Sequence, residues 1–274
     1  MTHDKHVSYI SYLKVDELLT LQQPLSDGPE HDELLFITIH QVYELWFKQI
    51  LHEVQAAQKS LTLGDTHRSL ALLGRVRTIM KTCVSQLDIL ETMTPLQFNS
   101  FRARLTSASG FQSAQFRELE AVLGRRDQAG ANADKGSGMG MAEHLMPGSA
   151  ARARVEAAML RPSLWDSALH YFNSRMPMPE SALKRDVTKA WEPSEEVQKV
   201  LIELHRSDPE ASIVAESLVD FDEGLQEWRY RHVKMVERTI GRKMGTGGSA
   251  GAGYLASTLF NPVFPDLWAI RSQF

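Results

Sequence analysis

The sequence predicts an all-α fold: a single-domain helical bundle with two long central helices flanked by shorter ones. Three observations carry this. Apolar residues recur at steps of three and four along most of the 274 residues, the period of a helix face. Period-two runs rich in β-branched residues and Asn-Gly hairpin signals are absent, so no strand is expected. Helix boundaries are marked, by Thr94-Pro95-Leu96-Gln97 and Asp208-Pro209 at starts and by Gly241 at a stop. There is no internal repeat, and a chain of this length can bury a full core as one domain over 1–274.

Taken in order, residues 12–22 read as a short helix after a Tyr9-Ile10-Ser11-Tyr12 lead, and Pro24 and Asp27-Gly28-Pro29 break the chain. Residues 31–61 form a long helix that is apolar almost all round, from Leu34 and Leu35 through Trp46 and Phe47 to Ile50 and Leu51. A helix apolar on every side belongs in the middle of a bundle or in a membrane, and Glu33, Glu44, Lys48 and Glu53 place it in the bundle. Residues 67–92 form an amphipathic helix. The Thr94 capping box starts a short helix through Phe98 and Arg102, and another runs from 110 to 123. A Gly/Ala/Ser/Met run over 129–150 lacks periodicity and is expected to be an exposed, mobile loop. Helices resume at 151–160, 163–175 and 194–206, then comes the second long element, 209–240. Short helices at 253–260 and 265–271 follow.

Composition narrows the function classes. The net charge of −4 offers no basic face for nucleic acid. The single cysteine, Cys83, excludes an intrachain disulfide, fits a reducing cytosol, and sits in a helical pattern that packs it. Residues 1–9 are polar and lack the apolar stretch of a signal peptide, and no run is long enough to cross a bilayer, so a cytoplasmic location is expected.

Chemistry enters through misplaced polar groups. Leu218, Phe221, Leu225, Trp228, His232 and Met235 fall on one helix face, so His232 points into apolar matter. It is either a core histidine bonded to a carbonyl or water, or the axial ligand of an iron porphyrin. Phe36, His40, Tyr43 and Phe47 share a face of the first long helix, and His40 poses the same choice. Phe98 and Arg102 lie four apart: a surface arginine snorkelling over a ring, or a carboxylate clamp with an aromatic wall. Each group taken singly reads as structural; together they make a site. The loop Gly245–Gly253 follows a helix rather than a strand and has no Lys-Ser or Lys-Thr pair, so it is no nucleotide loop. Its backbone N–H groups and the Thr246 hydroxyl suit close approach of a polar ligand group. Zinc, di-iron and serine-hydrolase patterns all lack residues. Haem needs one axial histidine and a large apolar slot, and the chain offers both.

Five blocks carry a resemblance: Tyr12-Leu-Lys-Val-Asp-Glu-Leu-Leu19, Gln22-Gln-Pro-Leu25, His31-Asp-Glu-Leu-Leu-Phe-Ile-Thr-Ile-His-Gln-Val-Tyr-Glu-Leu-Trp-Phe-Lys48, Ser109-Gly-Phe-Gln-Ser-Ala-Gln-Phe-Arg117 and the stretch from His232 to Gly251. The chain resembles the tryptophan 2,3-dioxygenase family from Tyr9 to Trp268, most weakly over 125–210. The resemblance implies a b-type haem bound between helices, with His232 as proximal ligand and Arg117 near a haem propionate. It implies L-tryptophan and dioxygen as substrates and N-formyl-L-kynurenine as product, the first step of tryptophan breakdown. His40 then meets the indole nitrogen, Phe36 walls the indole ring, Phe98 lines the pocket, Arg102 binds the substrate carboxylate, and Thr246 lies near the amino-acid end. It also implies a homotetramer, a dimer of dimers, in which residues 1–30 carry Tyr9 and Tyr12 toward a neighbouring subunit's pocket. Two other readings stand beside it: a haem monooxygenase or peroxygenase of the same superfamily, and a helical haem sensor without turnover.

Overall fold

A computed structural model of the chain describes residues 7–28, 30–106, 108, 110–126, 140–241, 243 and 252–274. All regular structure among them is helical. Two short helices, α1 (Tyr9–Leu13) and α2 (Val15–Leu18), precede the long α3 (His31–Thr62) and α4 (Thr66–Leu90). The first was expected at 12–22. It starts earlier because Ser8 and Ser11 form a capping box, and it splits because Lys14 takes a left-handed conformation, φ 54°.

Next come α5 (Pro95–Arg102), α6 (Ala114–Val122), α7 (Ala150–Met159), α8 (Leu164–Asn173) and the single turn α9 (Glu180–Leu183), which the sequence did not signal. The chain ends in α10 (Glu195–Ser207), the long α11 (Pro209–Ile240), α12 (Ala252–Ser257) and α13 (Pro265–Ala269). The caps act as the sequence implies. Thr94 and Gln97 close a capping box with Pro95 in the first turn. The Asp208 carboxylate accepts from the N–H groups of Glu210 and Ala211, and Gly241 ends α11 at φ 63°. The helix expected over 110–123 is divided, since Ser113 caps α6 after a 3₁₀ turn at Gly110–Gln112.

The frame that positions the site is α3, α4 and α11. Both 32-residue helices pack along α4, and side chains of both line one cavity. Cross-ties fix their registers. The Tyr43 hydroxyl of α3 donates to the Cys83 carbonyl of α4 at 2.7 Å, and Gln86 Nε2 donates to the Ile39 carbonyl at 2.9 Å. On α11, Arg231 pairs with Asp88 and Glu91, and Arg238 pairs with Glu91. Cys83 is fully buried and burial pushes its thiol up to about 12, so it is a packing residue.

Two expectations change. The helix read as apolar on every side is central, but it is not buried all round. It buries Ile39, Tyr43, Phe47, Ile50 and Val54 but leaves Leu34 and Leu45 48% and 52% exposed. Periodicity counts apolar residues and does not say which of them find a partner in the same chain. The run expected to be an exposed loop over 129–150 divides as well. Residues 127–139 lie outside the described residues, but Met141, Ala142 and Leu145 are buried. No helix among the described residues is long and apolar enough to cross a membrane.

Candidate active site

Between α3 and α11 lies a cavity of about 280 Å³, bordered by α5 and α6. That is the scale of a ligand site rather than a buried-water void. Five of the expected site residues on α3, α5 and α11 meet here: Phe36, His40, Phe98, Arg102 and His232. Arg117 of α6 lines it too.

The α3 wall follows from helix spacing. Phe36, His40, Tyr43 and Phe47 face the cavity together. The His40 ring lies 4.1 Å from Phe36 between centroids. Its Nδ1 donates at 2.7 Å to the Phe36 carbonyl. A carbonyl only accepts, so the neutral ring carries its lone pair on Nε2. Desolvation lowers the His40 pKa, against the opposing pull of the Phe36 carbonyl and of Glu44. The imidazole is therefore neutral at neutral pH.

The opposite wall belongs to α11. His232 stacks on Trp228, one turn earlier, at 5.2 Å and 12°. Trp228 packs in turn on Phe47 and Phe116, at 6.1 and 5.1 Å. No protein group hydrogen-bonds the His232 ring among the described residues. Burial, and then the nearness of His40, holds its pKa down at about 4. Both imidazoles are thus neutral and face one apolar space.

On α5, Phe98 lies 5.7 Å from Phe36 and 5.5 Å from the buried Phe101, an aromatic corner with Arg102 one turn on from Phe98. Ser100 donates to Glu30, tying α5 to the start of α3.

The structure adds residues that the sequence reading passed over. Glu44, read from the sequence only as a charge that keeps the helix out of a membrane, lines the cavity and accepts from Ser113 Oγ at 2.6 Å and Gln115 Nε2 at 2.8 Å. Glu120 stands on α6 in the same wall. Burial would raise its pKa, but Arg117, Arg125 and Arg229 hold it down at about 2. Arg117, expected near a propionate, gives one N–H to Glu120 at 2.6 Å while still lining the cavity. The Arg-x-x-Glu spacing of 117 and 120 was the one signal in the sequence. Tyr9 and Tyr12 are each 76% exposed and are not among the residues that line this cavity. Thr246 and most of its glycine loop lie outside the described residues.

An all-α frame with two neutral imidazoles on one apolar cavity, bordered by guanidinium groups, defines a helical cofactor-dependent enzyme. The family model for tryptophan 2,3-dioxygenase matches residues 2–213 and 197–274. The chain is 56% identical over 274 residues to the tryptophan 2,3-dioxygenase of Anaeromyxobacter sp. (strain K), covering 98% of this chain and 97% of that one. It is 55% identical to that of Herpetosiphon aurantiacus and 44% identical to that of Caulobacter vibrioides, each over 97% of this chain and 98% of the relative. The chain belongs to the tryptophan 2,3-dioxygenase family.

Proposed function

We propose that this chain holds one b-type haem between α3 and α11 and opens the indole ring of L-tryptophan with dioxygen, giving N-formyl-L-kynurenine. The observation that carries the reading is the contrast between the two imidazoles. His40 has its Nδ1 engaged by its own helix, whereas His232 is neutral, has no protein hydrogen bond among the described residues, and faces a large apolar space. A neutral imidazole is the form that ligates a metal. The walls fit a porphyrin: aromatic and aliphatic side chains for its faces, with Arg117 at the rim for a carboxylate. When bound, the haem supplies the iron that activates dioxygen.

The residues of the chain do the placing. Arg102 grips the substrate carboxylate with two parallel N–H donors, which selects an amino acid over free indole. Phe36 and Phe98 wall the indole. His40 Nε2 accepts the indole N–H, which fixes the edge that the C2–C3 bond presents. Both oxygen atoms enter the one product, so no reductant is consumed per turnover. Thr246 is assigned to the amino-acid end of the substrate.

The working assembly is a homotetramer, a dimer of dimers, with Tyr9 and Tyr12 reaching a neighbour's pocket. Exposed apolar side chains support this: Tyr9, Ile10, Tyr12 and Leu19 near the N-terminus, and Leu34 and Leu45 on the outer side of α3. The buried single thiol suits a reducing cytoplasm. The reading is tested by mixing haem-loaded, reduced protein with tryptophan and air. Formylkynurenine absorbance is expected; an unchanged tryptophan concentration after long incubation overturns it.

A further inference from the structure

Three arginines converge on the carboxylate of Glu120 at the cavity. Arg117 reaches it at 2.6 Å and Arg125 at 2.8 Å, both from its own segment, and Arg229 at 3.4 Å from α11. The carboxylate is almost fully buried and ionised. Arg229 precedes His232 by three residues, so both lie on one side of α11. Arg229 also donates to the Thr258 carbonyl at 3.2 Å. On the flank toward α4, the neighbouring Arg231 is held by Asp88 and Glu91. The turn that presents His232 is thus braced from two helices, and the α6 brace ends on Glu120. The same carboxylate holds Arg117 at the cavity wall.

We propose that Glu120 is a positioning residue for the cofactor: through Arg229 it fixes the turn that carries His232, and through Arg117 it fixes the cationic rim. The proposal rests on His232 being the haem ligand. Without Glu120, Arg117 and Arg229 would lose the carboxylate that they share.

The test compares Glu120→Gln, Glu120→Asp and Arg229→Gln in the haem-loaded protein. Haem loss to excess apomyoglobin, the reduction potential and the tryptophan KM are read. Loss of an outer residue that orients a metal ligand costs at least about tenfold in retention. Glu120→Gln should therefore release haem about tenfold faster and raise the potential, since a negative charge near the iron is removed, with tryptophan KM within about twofold. Glu120→Asp keeps the charge and should restore the potential. Should Glu120→Gln fail to fold, Arg229→Gln leaves Glu120 paired with Arg117 and Arg125 and should still speed haem loss. Wild-type haem loss in both Gln variants overturns the proposal. So does an Asp variant as impaired as Gln in potential and haem loss together, the mark of a merely structural carboxylate. Wild-type protein that takes up no haem would instead defeat the ligand assignment itself.

Discussion

The imidazole of His232 lies stacked on the indole of Trp228, 5.2 Å away and within 12° of parallel. One turn of α11 separates them, so the helix supplies the ligand together with the aromatic plate that sets its ring plane. Trp228 is clamped by Phe47 and Phe116, so the His232 ring orientation is passed down from the core. Trp228→Ala should leave haem bound but loosen this control. The expected outcome is a broadened, heterogeneous ferric spectrum and faster haem loss, while a sharp wild-type spectrum would show that the stack has no such role.

Arg102→Ala should raise the tryptophan KM far more than it lowers kcat. A carboxylate losing its only clamp in an apolar pocket costs on the order of 2–4 kcal/mol, or roughly 30- to 1,000-fold in kcat/KM. Arg102→Lys should recover only part of this, because a point charge does not replace a planar fork. Steady-state kinetics on both variants decide it.

Acid stability should report Glu120. Its carboxyl is held at about 2 in the fold against an ordinary 4.5. A depressed carboxylate stabilises above its unfolded pKa, and that contribution is lost as pH falls toward the folded value. Between pH 5 and 3 the wild-type protein should lose on the order of 2 kcal/mol that Glu120→Gln does not lose. Denaturant titrations of both proteins across that range give the difference, and equal slopes would count against the assignment.

Asp222 anchors the C-terminal segment onto α11. Its fully buried carboxylate accepts from the Val263 and Phe264 N–H groups at 2.8 and 3.2 Å and from Trp268 Nε1 at 2.9 Å. Asp222→Ala strands these three donors, removes the partner of Gln226 Nε2 as well, and should destabilise by about 3 kcal/mol. Thermal unfolding measures this, with tryptic cleavage after Arg271 as a local readout.

How much was legible depended on whether a residue's role lay within its own helix. His40 and His232 were visible because each breaks an apolar stripe whose direction follows from spacing alone, and the caps at Thr94 and Asp208 are local chemistry. Glu120 was not, since its distinguishing partner Arg229 is 109 positions away. Glu44 gave no sign of a place in the site because only the fold brings Ser113 and Gln115 to it. The outer side of α3 misled for the same reason: Leu34 and Leu45 count as apolar whether or not the chain covers them. Over 140–149, three buried residues anchor a stretch too irregular to show a period.

The most direct test of the account is hemin titration of the apoprotein, comparing wild type with His232→Gly in the presence and absence of free imidazole. The account predicts one equivalent bound with a histidine-ligated ferrous spectrum, loss of stoichiometric binding in the variant, and its return when imidazole is added. Full haem occupancy in His232→Gly without imidazole, or a wild-type protein that stays colourless with hemin, would contradict it.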